Sequence, residues 1–490
     1  MPRGPLKTFP ARGRAALLLY ALGAALLLGG PGARDLLAQE SPPATLSFAP
    51  AGVTPPVAEP SPASEPPAED LGAFPFPPAG EKAPLSLDAG ELQAVWEPPD
   101  PDAPPPPEEA PVPTEGPAWL DFCGAASTVA ISAAVTQGAD AAYKDPEGFT
   151  ALMAAAAHNP DPGALSVLLH NGADPHAVES KFGFNALMFA AAFNPLPLST
   201  EVLLEAGLRP DERDVNGGTA LSLAASLNPS PGVLSTLLRY GATLDTRDKD
   251  GNTALIAAAA HGQRLQVLKL LLSEGASLSV ANNDGDTALT QAARLNPNAD
   301  FALELIKAGA EIERRNHRGE TPFISAGYNP VPEIIGALVR AGADPHAKDN
   351  SGSNALFTAA FANSNPAVIG ELLKLGLDVN ATNDVGLTPL MAAAANPFPE
   401  ITRYLTIQGA NVNQRDGAGR TALMLAAWVN PEPWVIKILI YGGADPSLKD
   451  QRGEDAFAAA RQNPNPEILI ALRAAVAPPP APRGVGGGGS

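Results

Sequence analysis

Between Trp119 and about Ala475, apolar residues arrive in pairs of short runs. The first run of each pair is small, as in Ala-Leu-Met-Ala-Ala-Ala-Ala at 151–157. The second is bulkier, as in Val435-Ile436-Lys437-Ile438-Leu439-Ile440. Glycines punctuate the pairs at Gly148, Gly183, Gly217, Gly251, Gly285, Gly319, Gly352, Gly386, Gly419 and Gly453, at intervals of 33 to 35 residues. A fixed period near 33 residues predicts stacked units, each too small to bury its apolar face alone. Runs of this length at this spacing predict two short helices per unit.

The polar positions place the helix ends. Three residues before each glycine stands Asp145, Ser180, Asp214, Asp248, Asn282, Asn316, Asp349, Asn383, Asp416 or Asp450. Asp or Asn at the first position and Gly at the fourth is a type I turn signature. Two residues after the glycine stands Thr150, Asn185, Thr219, Thr253, Thr287, Thr321, Asn354, Thr388, Thr421 or Asp455. These are expected N-caps, whose side-chain oxygen takes an otherwise unpaired N–H and adds about 1 kcal/mol each. In nine units the second run stops at a glycine, from Gly172 to Gly443, which predicts a left-handed helix end. That run is expected to supply most of the core. Between the runs, nine units carry Asn-Pro: Asn159, Asn194, Asn228, Asn296, Asn329, Asn365, Asn396, Asn430 and Asn463 precede the proline. The fourth unit has His261-Gly262 instead. Asn is expected to end the first helix in the left-handed conformation, and Pro to prevent its continuation. A second proline, as at Pro466 before Glu467, is expected to open the next helix.

These residues resemble the ankyrin repeat family: Asp-x-x-Gly-x-Thr, then Pro or Ala and Leu, an Ala-Ala pair, Leu-Leu and Gly-Ala-Asp. The resemblance covers residues 119–474 and recurs ten times. It implies an all-α solenoid of helix-turn-helix units with β-turn fingers. The expected layout is a capping half-repeat at 119–147, ten repeats at 148–474 and a flexible tail at 475–490. The half-repeat is expected to carry a helix from Trp119 and a second one capped by Ser127 or Thr128. Two departures from the family pattern stand out. The usual His after Thr-Pro-Leu, which braces neighbouring turns, is replaced by Met153, Met188, Ile256, Met391 and Met424 among others. The Asn-Pro pair stands where the family usually has Gly, as in exported bacterial ankyrin proteins.

The resemblance also implies a groove, lined by turns and first helices, that holds another protein. Transferred residue by residue, its outward positions include Phe189, Phe193, Leu223, Leu227, Gln291, Arg294, Leu295, Tyr328, Phe361, Leu425, Trp428 and Val429. Ala154, Ala157, His158, Ala192, Ser226, Ser325 and Thr358 share those positions. The alternative for the large apolar ones is packing between adjacent first helices.

Composition adds the rest. Within residues 1–38, the first fourteen carry Arg3, Lys7, Arg12 and Arg14 with no acid, and an uncharged run follows from Ala15 to Leu28. This is the layout of a signal peptide, and at roughly 21 Å the run is too short for a bilayer core of about 30 Å. Export to the periplasm or the extracellular space is expected; the alternative is an uncleaved anchor in the inner membrane. Residues 39–118 are rich in Pro, Ala and Glu, with Lys82 as their one base. Such a stretch cannot offset its ordering entropy, so a disordered linker is expected; Phe74, Phe76 and Trp96 are its few anchors. The whole chain has a net charge of −20, which argues against nucleic acid as a partner. Cys123 is the single cysteine, so an intramolecular disulfide and a cysteine zinc site are excluded. The six histidines form no metal pair, and the acidic turns fail the calcium-loop spacing because Ala257 and Gln291 stand where Glu is needed. No phosphate loop or nucleophile motif occurs. The expectation is a monomeric, non-catalytic protein-binding array without a cofactor; the alternative is a membrane-tethered structural spacer or scaffold in the cell envelope.

Overall fold

A computed structural model describes residues 112–476. The expected signal segment, nearly all of the proline-rich stretch and the tail beyond Val476 lie outside the described residues. Inside them are 22 helices and no strand. The chain opens with α1 (Gly116–Cys123) and α2 (Thr128–Thr136). Ten pairs follow: α3 (Ala151–His158) with α4 (Gly163–His170), α5 (Ala186–Phe193) with α6 (Pro197–Glu205), α7 (Ala220–Leu227) with α8 (Pro231–Arg239), α9 (Ala254–His261) with α10 (Leu265–Ser273), and α11 (Ala288–Leu295) with α12 (Ala299–Lys307). The later pairs are α13 (Pro322–Ala326) with α14 (Glu333–Arg340), α15 (Ala355–Ala362) with α16 (Pro366–Lys374), α17 (Pro389–Ala393) with α18 (Pro399–Ile407), α19 (Ala422–Val429) with α20 (Pro433–Tyr441), and α21 (Ala456–Ala460) with α22 (Pro466–Val476). First helices pack on first helices and second on second, in two rows. The fold begins earlier than expected: α1 starts at Gly116, and the Thr114 carbonyl accepts the Asp140 N–H.

Each first helix starts for the reason its sequence gives. In all ten units the cap residue accepts the backbone N–H three positions on, as Thr388 does from Met391. The first helices bury up to seven of their eight residues, among them Ala154–Ala157 in α3. The second helices bury a narrow stripe, such as Val435, Ile436 and Leu439. This reverses the expected division: alanine lets the first row close in on all sides, so it is the more completely buried row.

The finger glycines take positive φ, Gly386 at 81°. A Cβ there would lie 2.8 Å from the Gly417 N–H nitrogen of the next finger, so glycine answers both conformation and space. The gap is narrow because the fingers hydrogen-bond to one another. At each of nine junctions an N–H just after the turn's first residue donates to a carbonyl of the preceding finger, from Ser180 N to Glu147 O through Gln451 N to Ala418 O, at 2.8–3.0 Å. Arg213, Arg247, Arg315 and Arg415 add a second tie. Each guanidinium bonds the glycine carbonyl of its own finger and a carbonyl of the next unit: Arg247, Ala281, Lys348 and Lys449 respectively.

Unit 2 departs from the expected turn. Glu179, not Ser180, closes it: the Gly183 N–H bonds the Glu179 carbonyl, and the Glu179 carboxylate accepts the N–H groups of Lys181, Phe182 and Phe184. One extra residue lengthens this finger and makes the single 35-residue interval. A longer loop needs a longer acceptor, which Glu supplies over Asp. The two 33-residue intervals arise in units 6 and 8. There α13 and α17 stop after five residues, and Asn329 and Asn396 bond back three residues rather than four.

The Asn-Pro pair works differently from the expected left-handed stop. The asparagines at the helix ends are extended, as at Asn194 with φ −95° and ψ 116°. Proline excludes the helical ψ of the residue before it, which fixes that shape. The side chain then turns into the core. Nδ2 donates to two carbonyls of the preceding unit at 2.8–3.4 Å, and Oδ1 accepts the N–H two residues on. Seven rungs bond the carbonyl of the rung before them, as Asn430 bonds Asn396 and Asn396 bonds Asn363; Asn159 bonds Ala126 and Asn296 bonds Gly262 instead. In unit 7 the rung is Asn363, not Asn365. Asn363 donates to Gly327 and Asn329 with Ser364 behind it, while Asn365 caps α16. Proline therefore favours the rung but is not required for it.

Candidate functional site

The surface formed by fingers and first helices holds the expected groove positions, and the structure sorts them by depth. Phe189 is 4% exposed and Leu223 0%, so neither faces a partner. Phe189 is packed edge-on by Phe149 and Phe184, with ring centroids 5.2 and 5.6 Å away. Leu223 sits at the same helix position. The position one past the Met slot is buried in most units, including Ala154, Ser325 and Thr358, and half-buried at Gln291 and Leu425. Ala157, Ala192 and Ser226 are buried as well, His158 is exposed, and Phe193 and Leu227 are half-buried.

Gln291, Arg294 and Tyr328 come together in a polar network between units 5 and 6. Arg294 pairs with Asp286 at 3.3 Å and with Glu320, and its guanidinium lies 5.2 Å from the centre of the Tyr328 ring. The Tyr328 hydroxyl donates to Glu320 at 3.2 Å, Gln291 donates to Asp286 at 2.9 Å, and Asn316 donates to both carboxylates. Burial raises the Asp286 carboxyl, with Arg294 pulling the other way; burial and then the Glu320 charge raise the Tyr328 phenol. Arg294 is thus no free contact. It neutralises two buried acids and ties one unit to the next.

The exposed residues lie further along. Trp428 and Val429 are each 46% exposed, Phe361 52% and Leu295 46%. Seven residues past the cap, the row reads Ala157, Ala192, Ser226, Ala260, then Arg294, Tyr328, Phe361, Ala395 and Trp428. The row is small in the first four units and large in most units after them. Half-buried Leu425 and exposed Trp428 line a cleft of about 290 Å³ between units 9 and 10. Its other walls include Met424, Arg420, Arg452, Glu454 and Gln462. Arg420 is held by Asp416 at 2.7 Å, which fixes one wall. Sequence reasoning missed Arg420 and Glu454. Both follow a finger glycine directly, and that position's variation from unit to unit was the available signal.

Comparison with known proteins agrees with this architecture. The family model for ankyrin repeats (3 copies) matches residues 152–248, 223–316, 291–383, 323–416 and 362–450. The mitochondrial disaggregase of Bos taurus is 48% identical over 59 residues, 12% of this chain and 8% of that protein. The Homo sapiens mitochondrial disaggregase is 46% identical over 61 residues, again 12% and 8%. The chain therefore spans under a tenth of the length of these relatives. Among solved structures, the human ASB11 ankyrin repeat domain aligns at 22% identity and a TM-score of 0.40, covering 47% of this chain and all of that one. With the family model matched across most of the array, the chain belongs to the ankyrin repeat family.

Proposed function

We propose that this protein is an exported, non-catalytic binding array that captures another protein on its groove face, in the later units. The observation that carries the reading is the exposed pair Phe361 and Trp428 at one repeat position, with Leu425 and Val429 beside the second ring. Exposed aromatics at the centre of an interface are the side chains that supply most binding energy. The cleft beside Trp428 offers a partner side chain a half-enclosed seat walled by Arg420 and Glu454. Export rests on the basic start and short apolar run at residues 1–28. The test is photo-crosslinking of the full chain in its own cell, with the reactive residue at position 361, 428 or 441. A common adduct from 361 and 428, absent from 441, supports the groove. Adducts only from 441 contradict it. N-terminal sequencing of the same purified chain decides between release and tether: a start between about 30 and 40 means release, and an intact Met1 favours the uncleaved anchor.

A further inference from the structure

Nine of the ten units carry a rung asparagine, and unit 4 carries Gly262. A rung at that position would donate to the carbonyls of Ala225 and Asn228, as Asn228 itself donates to Ala191 and Asn194. Among the described residues no side-chain amide takes those two carbonyls. The next rung, Asn296, reaches Gly262 only at 3.4 Å, the longest bond of the series. The ladder is therefore broken between units 3 and 4 and stretched between units 4 and 5.

The space beside Gly262 is filled from the other side. A Cβ on Gly262 would collide with the Ala258 carbonyl oxygen on one side and lie 3.1 Å from Phe301 Cε1 on the other. Phe301 is 1% exposed, and its counterparts in the other second helices are Ala164, Ser199, Val233, Val267, Ile334, Val368, Ile401, Val435 and Ile468. The one unit without the polar rung is thus followed by the one unit with an aromatic ring at this position. The ring packs unit 5 onto unit 4. It restores nothing between units 3 and 4, where the packing of α9 on α7, the finger bond from Lys249 to the Asn216 carbonyl, the Arg213 tie and two bonds from Thr243 to the Asp211 carboxylate remain.

We propose that the junction between units 3 and 4 is a built-in seam, at which the array opens or bends as two blocks, units 1–3 and units 4–10. Stability in a solenoid is close to a sum of unit and nearest-neighbour terms, so one weakened junction localises the opening. The row of Arg294, Tyr328, Phe361 and Trp428 lies wholly in the second block. Movement at the seam re-aims the first three units and leaves that row intact.

Native-state hydrogen exchange with mass spectrometry on the full chain reads this directly. In the wild type, α7 and α9 should exchange about tenfold or more faster than the helices at the other interior junctions. Asn329→Gly should create a second fast junction between units 5 and 6. Gly262→Asn with Phe301→Val clears the ring, and once the backbone at 262 shifts off the Ala258 carbonyl the restored rung should slow α7 and α9. Even protection along the interior, a minimum at another interior junction, or an unchanged unit 5–6 junction in Asn329→Gly overturns the proposal. The wild type and Asn329→Gly decide it even where the double variant fails to fold.

Discussion

At the scale of a residue, Gly262 is where the ladder of rungs is interrupted, and His261 stands beside it, at the repeat position His158 holds in unit 1. His261 ends α9, and burial lowers its imidazole from the usual 6.5 to about 4. A base held neutral in the fold leaves stability untouched above its ordinary value. Between pH 6.5 and 4 the unfolded chain binds the proton and the native one does not, so stability falls by at most about 3 kcal/mol, with no further loss below. Leu227 and Leu295 occupy the same position in the flanking units. His261→Leu should therefore keep the neutral-pH stability and flatten the acid limb over that range, read by urea melts at successive pH values. An unchanged acid limb would place the protons elsewhere.

At the scale of the element, most of the structure was legible in the sequence. Caps, finger glycines and helix-ending glycines are local devices, and local chemistry is what a sequence displays. The rung was misread for the opposite reason. Its left-handed reading used local propensity alone, while Asn194 is held by carbonyls 35 and 38 residues away. Glu179 was missed because its role follows from loop length, and Asn363 because the proline marker had moved two residues downstream. Separating the two halves of the motif tests this account. Asn396→Ala leaves two buried carbonyls and one N–H unpaired and should cost about 2–4 kcal/mol. Pro397→Ala should cost under about 1 kcal/mol, since Asn363 makes its rung without a proline. Chemical denaturation of both variants compares them, and equal costs would mean that proline, not the amide, holds the turn.

At the scale of the whole molecule, the fold spends most of its first-helix surface on packing, and that decides where binding can occur. Half of the groove was legible. The family pattern named the positions, but depth depends on the side chains that surround each one, which bury Phe189 and Leu223 and leave Phe361 and Trp428 in the open. The outward face carries large residues too, with Trp434 60% and Tyr441 78% exposed on α20. The two faces can therefore be set against each other in one experiment. Affinity for the crosslinked partner is measured for the wild type, for Phe361→Ala with Trp428→Ala, and for Trp434→Ala with Tyr441→Ala. The groove pair should weaken binding on the order of a thousandfold, at roughly 2 kcal/mol or thirtyfold per anchor, and the outward pair should leave it unchanged. Loss of affinity in the outward pair with retention in the groove pair would contradict the account.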